Sequence, residues 1–144
     1  MGFSIDLVET QHDRDAIHLV RNSVFVQEQH VPLEIEVDDI DSSAYHAVAR
    51  WQGTVVGTGR LVLEPPYSGK IGRMAVLAAY RKLGVGGQIL SFLEIYAEKM
   101  GIHEIILHAQ TYVKDFYGKR GYQEEGSVFL EAGIEHILMR KTIT

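Results

Sequence analysis

The sequence predicts an α/β sandwich built around a mixed sheet. Two observations carry that expectation. Stretches of alternating apolar residues and stretches with apolar residues about 3.6 apart take turns along the chain, in the order β-α-(α)-β-β-β-α-β-α-β-β. The chain of 144 residues, 46% hydrophobic and 23% charged, also has the size of a single domain spanning 1–144 with one substantial core.

The elements follow in order. Phe3, Ile5 and Leu7 alternate as in a strand. Thr10 is placed to cap a helix whose Ala16, Ile17, Val20 and Val24 share one face. An acid-rich loop, PLEIEVDDID, comes next and is expected to be solvated. Tyr45, Ala47, Ala49 and Trp51 alternate, Gln52-Gly53 makes a turn, and Val55 to Leu63 returns as the second strand of a hairpin. Pro65-Pro66 stops that strand, and KIGRMAVL is the next. From Gly84 onward Val85, Ile89, Leu93, Tyr96, Ala97 and Met100 recur at helical spacing until Gly101. EIILHA reads as a strand and TYVKDFYGKRG as a short helix, and two strands flank Glu131-Ala132-Gly133.

Composition removes several classes of function. A net charge of −5 argues against a nucleic-acid partner. The chain has no cysteine, which excludes disulfides, thiolate metal sites and a cysteine nucleophile. No apolar run approaches the roughly 18 residues that would span a bilayer. No signal peptide is evident, and Asp6 stands where a myristoylation motif beginning Met1-Gly2 needs Ser or Thr. A cytoplasmic protein without a membrane partner is expected.

The most informative stretch is YRKLGVGGQIL, residues 80–90, with Gly84, Gly86 and Gly87 behind Arg81 and Lys82. Glycine is a poor helix former, so its use at the start of a helix calls for a compensating role. A helix N-terminus exposes unpaired amides and the positive end of its dipole, and glycines let an anion approach that backbone. The anion is not held by a Walker A loop, because Gly87-Gln88-Ile89 lacks the Lys-Ser/Thr ending. Nor is the stretch a dinucleotide fingerprint: Ile89 stands where its third glycine belongs, and the loop follows four strands.

RKLGVG resembles the Arg/Gln-x-x-Gly-x-Gly/Ala motif of the GNAT acetyltransferases. GRMAVLAAYR ahead of it looks like that family's central strand, and VKDFYGKRGY like its Phe-Tyr-x-x-x-Gly-Phe/Tyr segment. GIEHILMRK and RNSVFVQEQHVP are similar to a bacterial small-substrate branch that includes glyphosate N-acetyltransferase. The resemblance implies a mostly antiparallel sheet of six to seven strands, about four flanking helices and splayed central strands. It also implies acetyl-CoA as co-substrate, a small amine as acceptor, and room for a homodimer. The pyrophosphate would lie on Arg81, Lys82, Leu83, Gly84, Val85, Gly86 and Gly87. The pantetheine arm would lie between Met74-Ala75-Val76 and Ala109-Gln110, beside Phe116.

The chemistry poses two proton problems. An alkyl ammonium with a pKa of about 10.4 must lose a proton before it attacks, and the departing thiolate is helped by a donor. The resemblance implies Tyr117 as the thiolate's acid and His136 as the base, histidine's ordinary pKa of about 6.5 suiting that task. Glu135 stands where the glyphosate enzyme has proline. Arg21 and Arg73 correspond to that enzyme's clamps for a carboxylate or phosphonate, and Glu28 is a further substrate-binding residue and the next candidate base, whereas the enzyme's further arginine aligns near Gln110. Direct attack in a ternary complex is expected. The alternatives are an acyl-CoA-binding or sensing module and a peptide or protein N-acetyltransferase. No metal is expected: His103 and His108 in HEIILH lie five apart on a strand and face opposite sides, unlike a zincin pair.

Overall fold

The computed structural model describes residues 2–143, so Met1 and Thr144, the ends of the expected 1–144 domain, lie outside the described residues. Seven strands form one sheet: β1 (Ser4–Leu7), β2 (Tyr45–Trp51), β3 (Thr54–Glu64), β4 (Ser68–Val76), β5 (Glu104–Gln110), β6 (Gln123–Glu131) and β7 (Ile134–Thr142). Their order across the sheet is β1-β2-β3-β4-β5-β7-β6, antiparallel throughout except for β4 with β5. Four α-helices flank it: α1 (Gln11–Arg21), α2 (Leu33–Glu36), α3 (Val85–Lys99) and α4 (Lys114–Gly118).

The local signals act where they were expected. The Thr10 side chain accepts the Asp13 amide at 3.1 Å and caps α1. Gln52 and Gly53 take φ of +50° and +84°, the two left-handed positions of a tight hairpin turn. Beyond Arg21 the helix widens into a π-helical segment over Asn22–Glu28.

The apolar stripe of α3 (Val85, Ile89, Leu93, Ala97) packs on Leu61, Ile71, Ile105 and Leu107 to form the main core. A close approach makes this possible. A Cβ at Gly59 would stand 2.7 Å from the Met74 sulfur and 2.8 Å from Ile89 Cγ2, so only glycine lets the helix settle there. On the opposite face, Val20 and Val24 pack against Ala75.

The acid-rich segment departs from the solvated loop that the sequence suggests. Glu36 and Asp41 are buried, and they surround Arg21, which has no exposure at all. Arg21 Nε pairs with Glu36 Oε1, while its terminal nitrogens donate to Asp41 at 2.8 and 3.0 Å and to the Glu36 carbonyl at 2.9 Å. Arg60 donates to Asp38 at 2.8 Å and to Asp41 at 3.0 Å. Charge alternation along the segment reads as solvation, whereas here each buried carboxylate meets a guanidinium from another element. Burial opposes the ionisation of Asp41, but the bonds and charges of Arg21 and Arg60 outweigh it and hold the carboxyl well below the usual carboxylate range.

Arg21→Leu should lower stability by about 3–5 kcal/mol, because Glu36 and Asp41 lose their counterion while still buried; the midpoint of urea unfolding reads this. The depressed Asp41 carboxyl adds stability that is fully present above its unfolded value of about 3.9 and is lost as pH falls through the lower folded value. Asp41→Asn should therefore be less stable at pH 7 and lose less on acidification, in paired urea titrations.

Candidate active site

Helix α3 begins at Gly84, which takes φ of +84° with no side-chain cap. Lys82 just ahead is also left-handed, at +67°. The first amide to find a helical partner is that of Gln88, on the Gly84 carbonyl at 3.1 Å, so the amides of the first turn are available to an outside acceptor. The space above Gly86 is bounded by Phe116, whose ring would touch an added Cβ at 3.5 Å.

A cation that sequence reasoning missed reaches this turn. Arg120 lies with its guanidinium 4.0 Å from the Phe116 ring centroid and donates to the Phe116 carbonyl at 2.8 Å. A Cβ on Gly87 would stand 2.7 Å from its Nη2, so Gly87 makes room for Arg120. Gly84, Gly87, Gln88 and Arg120 line an open groove of about 590 Å³ beside α3. The signal was present in the sequence as FYGKRG, but only packing turns Arg120 back over the helix.

Arg81 behaves differently from the free cation expected. Its Nε donates to the Val76 carbonyl at 2.9 Å, and its terminal nitrogens form a two-point pair with Glu28 at 2.7 and 2.9 Å. Glu28 is thus joined to the loop before α3.

Strands β4 and β5 pair only over Ser68–Lys70 with Glu104–Ile106. Beyond those residues they diverge, so Met74, Ala75 and Val76 face Ala109 and Gln110 across an opening with no sheet bonds between them. A bulge in β4 accompanies the divergence: Thr58 is opposite Ala75 but Arg60 is opposite Gly72, and Arg73 takes φ of +49°. Gln110 is bridged across the far side by Gln29, the two amides exchanging bonds at 2.9 and 3.3 Å, and Gln29 also meets the Tyr112 hydroxyl at 3.0 Å.

Tyr117 on α4 sits in the α3-side core, edge-on to Phe116 at 4.9 Å, and burial pushes its phenol up to about 12. His136 belongs to the other face of the sheet, since its neighbour Ile137 points into the core with Tyr117. It is opposite Gln110 in β5. Its Nδ1 lies 2.7 Å from the Ile134 carbonyl, which can only accept, so Nδ1 carries the hydrogen and Nε2 presents the lone pair. Tyr117 and His136 therefore lie on opposite sides of the sheet.

The expected acceptor clamp is corrected by this arrangement. Arg21 lies beneath the site with its donors committed to Glu36 and Asp41, and it cannot reach a substrate. Arg73 is tied to the α2 segment, donating to the Glu36 carbonyl at 3.0 Å, the Ile35 carbonyl at 3.2 Å and Asp38 at 3.2 Å. Among the described residues, no three His, Asp or Glu side chains gather as a metal site.

Comparison with known proteins places this geometry. The family model for the acetyltransferase (GNAT) domain matches residues 8–143. The uncharacterized N-acetyltransferase YjcF of Bacillus subtilis (strain 168) is 42% identical over 129 residues, covering 89% of this chain and 91% of its own. An acyl-CoA N-acyltransferase from Pseudomonas aeruginosa superposes with a TM-score of 0.85 at 29% identity, over 99% of this chain and 100% of its own. An aminoglycoside 6'-N-acetyltransferase solved with coenzyme A shares the fold, with a TM-score of 0.78 at 16% identity over 98% and 97% of the two chains.

The close fit of Gly87 and Arg120 gives a signed test. Alanine exceeds glycine in helices by roughly 0.8–1.0 kcal/mol. Gly87→Ala should gain nothing or lose stability in the wild-type background, because it displaces Arg120. In an Arg120→Ala background the same change should stabilise, and thermal melts of the double-mutant cycle measure the difference.

Proposed function

The chain belongs to the acetyltransferase (GNAT) domain family, and from that premise we propose that it transfers an acetyl group from acetyl-CoA to the amine of a small molecule by direct attack. The observation that carries this reading is the parting of β4 from β5, on the strand whose chain leads on to the uncapped first turn of α3. Backbone amides at residues 85–87 would take the pyrophosphate, with Arg120 adding positive charge alongside. The diverging edges of Met74–Val76 and Ala109–Gln110 would flank the pantetheine arm. In this site the arm enters between strands and needs main-chain polar groups more than particular side chains. When bound, the thioester supplies an activated acetyl group, and a chain without cysteine has no thiol to take it up first.

His136 would remove the acceptor's proton through Nε2, the nitrogen left basic by the Ile134 contact. Tyr117 has a more restricted role than full acid. A phenol at about 12 remains protonated at neutral pH. Full transfer of its proton to a thiolate, whose conjugate acid titrates at about 8.5, is uphill. We therefore assign it as a hydrogen-bond donor to the departing sulfur.

The acceptor side lacks the arginine clamp that an acidic substrate would use, since Arg21 is buried and Arg73 holds the α2 segment. What the chain presents near His136 is the amides of Gln29 and Gln110, the Tyr112 hydroxyl and the carboxylate of Glu131. That set suits a neutral or cationic amine.

Gly86→Asp would put a carboxylate where the pyrophosphate is proposed to lie, at a helix turn that tolerates acidic residues. Calorimetry with acetyl-CoA should show affinity reduced by about tenfold or more, a loss of about 1.4 kcal/mol, in a protein that melts like the wild type. Undiminished affinity would remove the basis for this placement. Tyr117→Phe should reduce kcat by roughly 10- to 100-fold, the worth of one hydrogen bond to a charged group, while acetyl-CoA affinity persists. Thiol release measured over a panel of metabolite amines, amino acids and peptides tests the acceptor class; turnover of peptides alone would overturn the small-amine assignment.

A further inference from the structure

On the sheet face opposite α3, titratable side chains from three strands converge. The hairpin turn between β6 and β7 has Ala132 at φ +53° and Gly133 at +77°, which sets Glu131 opposite Ile134 and Phe129 opposite His136. Glu131 and His136 are therefore diagonal neighbours on one face, a separation that long side chains can close. His108 of β5 reaches the same place. Its Nδ1 lies 2.9 Å from Glu131 Oε1, and its ring meets Phe129 edge-on at 5.0 Å.

The hydrogens follow from the partners. Glu131 is held below the usual carboxylate range: burial opposes its ionisation, but the bond from His108 and the positive charge of Lys70 and of either imidazole when protonated outweigh that. An ionised carboxylate only accepts, so His108 Nδ1 donates to it. The second carboxylate oxygen, Oε2, faces His136 Nε2 at 3.7 Å. That nitrogen carries the lone pair, because Nδ1 donates to Ile134. At 3.7 Å the two groups are not hydrogen bonded, so a negative charge stands beside Nε2 of this buried ring without taking up its lone pair.

We infer that Glu131, anchored by His108, is a positioning residue for acetyl transfer: its charge stabilises the imidazolium that forms when His136 takes the acceptor's proton. This rests on the reading of His136 as the base. In the step, the N–H bond of the acceptor ammonium breaks and the proton passes to His136 Nε2. The electron pair remains on the acceptor nitrogen, which can then attack the thioester carbon. The charged and titratable groups facing Glu131 are Lys70 from β4, His108 from β5 and His136 from β7.

Glu131→Gln tests this, since the amide keeps an acceptor for His108 and removes the charge. Imidazole-resolved NMR titration of the whole protein should show His136 titrating at lower pH in the variant, because a carboxylate that near favours the protonated ring. With an amine turned over in the acceptor panel, kcat should fall about tenfold or more, and the rising acid limb of the rate should move to lower pH by the same amount. Acetyl-CoA affinity and the melting temperature should remain those of the wild type. His108→Phe keeps a ring against Phe129 but frees the carboxylate, and it should produce a smaller shift of the same sign. If Glu131→Gln melts early, His108→Phe decides the matter alone. An unmoved His136 titration, or an unchanged kcat with a raised acceptor KM, would overturn the inference. His136→Asn separates the two readings. If it retains the acid limb, His136 is not the base. If it loses the limb while Glu131→Gln behaves as wild type, only the role of Glu131 fails.

Discussion

The acceptor side of this protein depends on a guanidinium that water cannot reach. Arg21 ends the first helix inside the protein, and a buried cation is tolerated only where anions and carbonyls surround it. Glu36 and Asp41 meet that need, and in doing so they draw the whole segment between α2 and β2 down onto the sheet. The same segment then receives Arg60 through Asp38 and Asp41, and Arg73 through Asp38 and the Ile35 and Glu36 carbonyls. One charge therefore organises a stretch whose large apolar residues, Leu33, Ile35, Val37 and Ile40, stay exposed.

Arg73 carries this constraint into the site. It sits in a left-handed conformation at the bulge of β4, a position that costs of order 1–3 kcal/mol in a residue with a side chain. Its bonds to the α2 segment offset that strain. The strand turns there, and its far end leaves β5 instead of continuing the parallel ladder begun at Ser68–Lys70. The opening thus owes its shape to polar contacts on one face and to the packing of α3 over Gly59 on the other.

Charge is distributed along the opening with some economy. At the α3 end, Arg120 is stacked on Phe116 and lines the groove, whereas Arg81 is paired with Glu28. At the other end, Glu131 and two histidines share a face with Gln110. Between them Tyr117 remains a neutral phenol because burial disfavours its anion.

The sequence by itself determined the succession of elements, the glycine-marked start of α3 and the family resemblance. Period, capping and turn chemistry are local properties: Thr10, Gln52-Gly53 and Gly84 act within a few residues of themselves. The same locality explains what it left undecided. PLEIEVDDID reads as solvated because nothing nearby in the chain reveals Arg21, Arg60 and Arg73, which arrive from a helix and two strands. The aligned clamp of Arg21 failed for that reason. Gly87 reads as part of an anion loop, and only folding shows that Arg120 lies over it as well. His108 and Glu131 are 23 residues apart and meet across β7. Tertiary structure alone decided which charges are buried, which are paired and which face the opening, because those outcomes depend on distances between elements that no local pattern encodes.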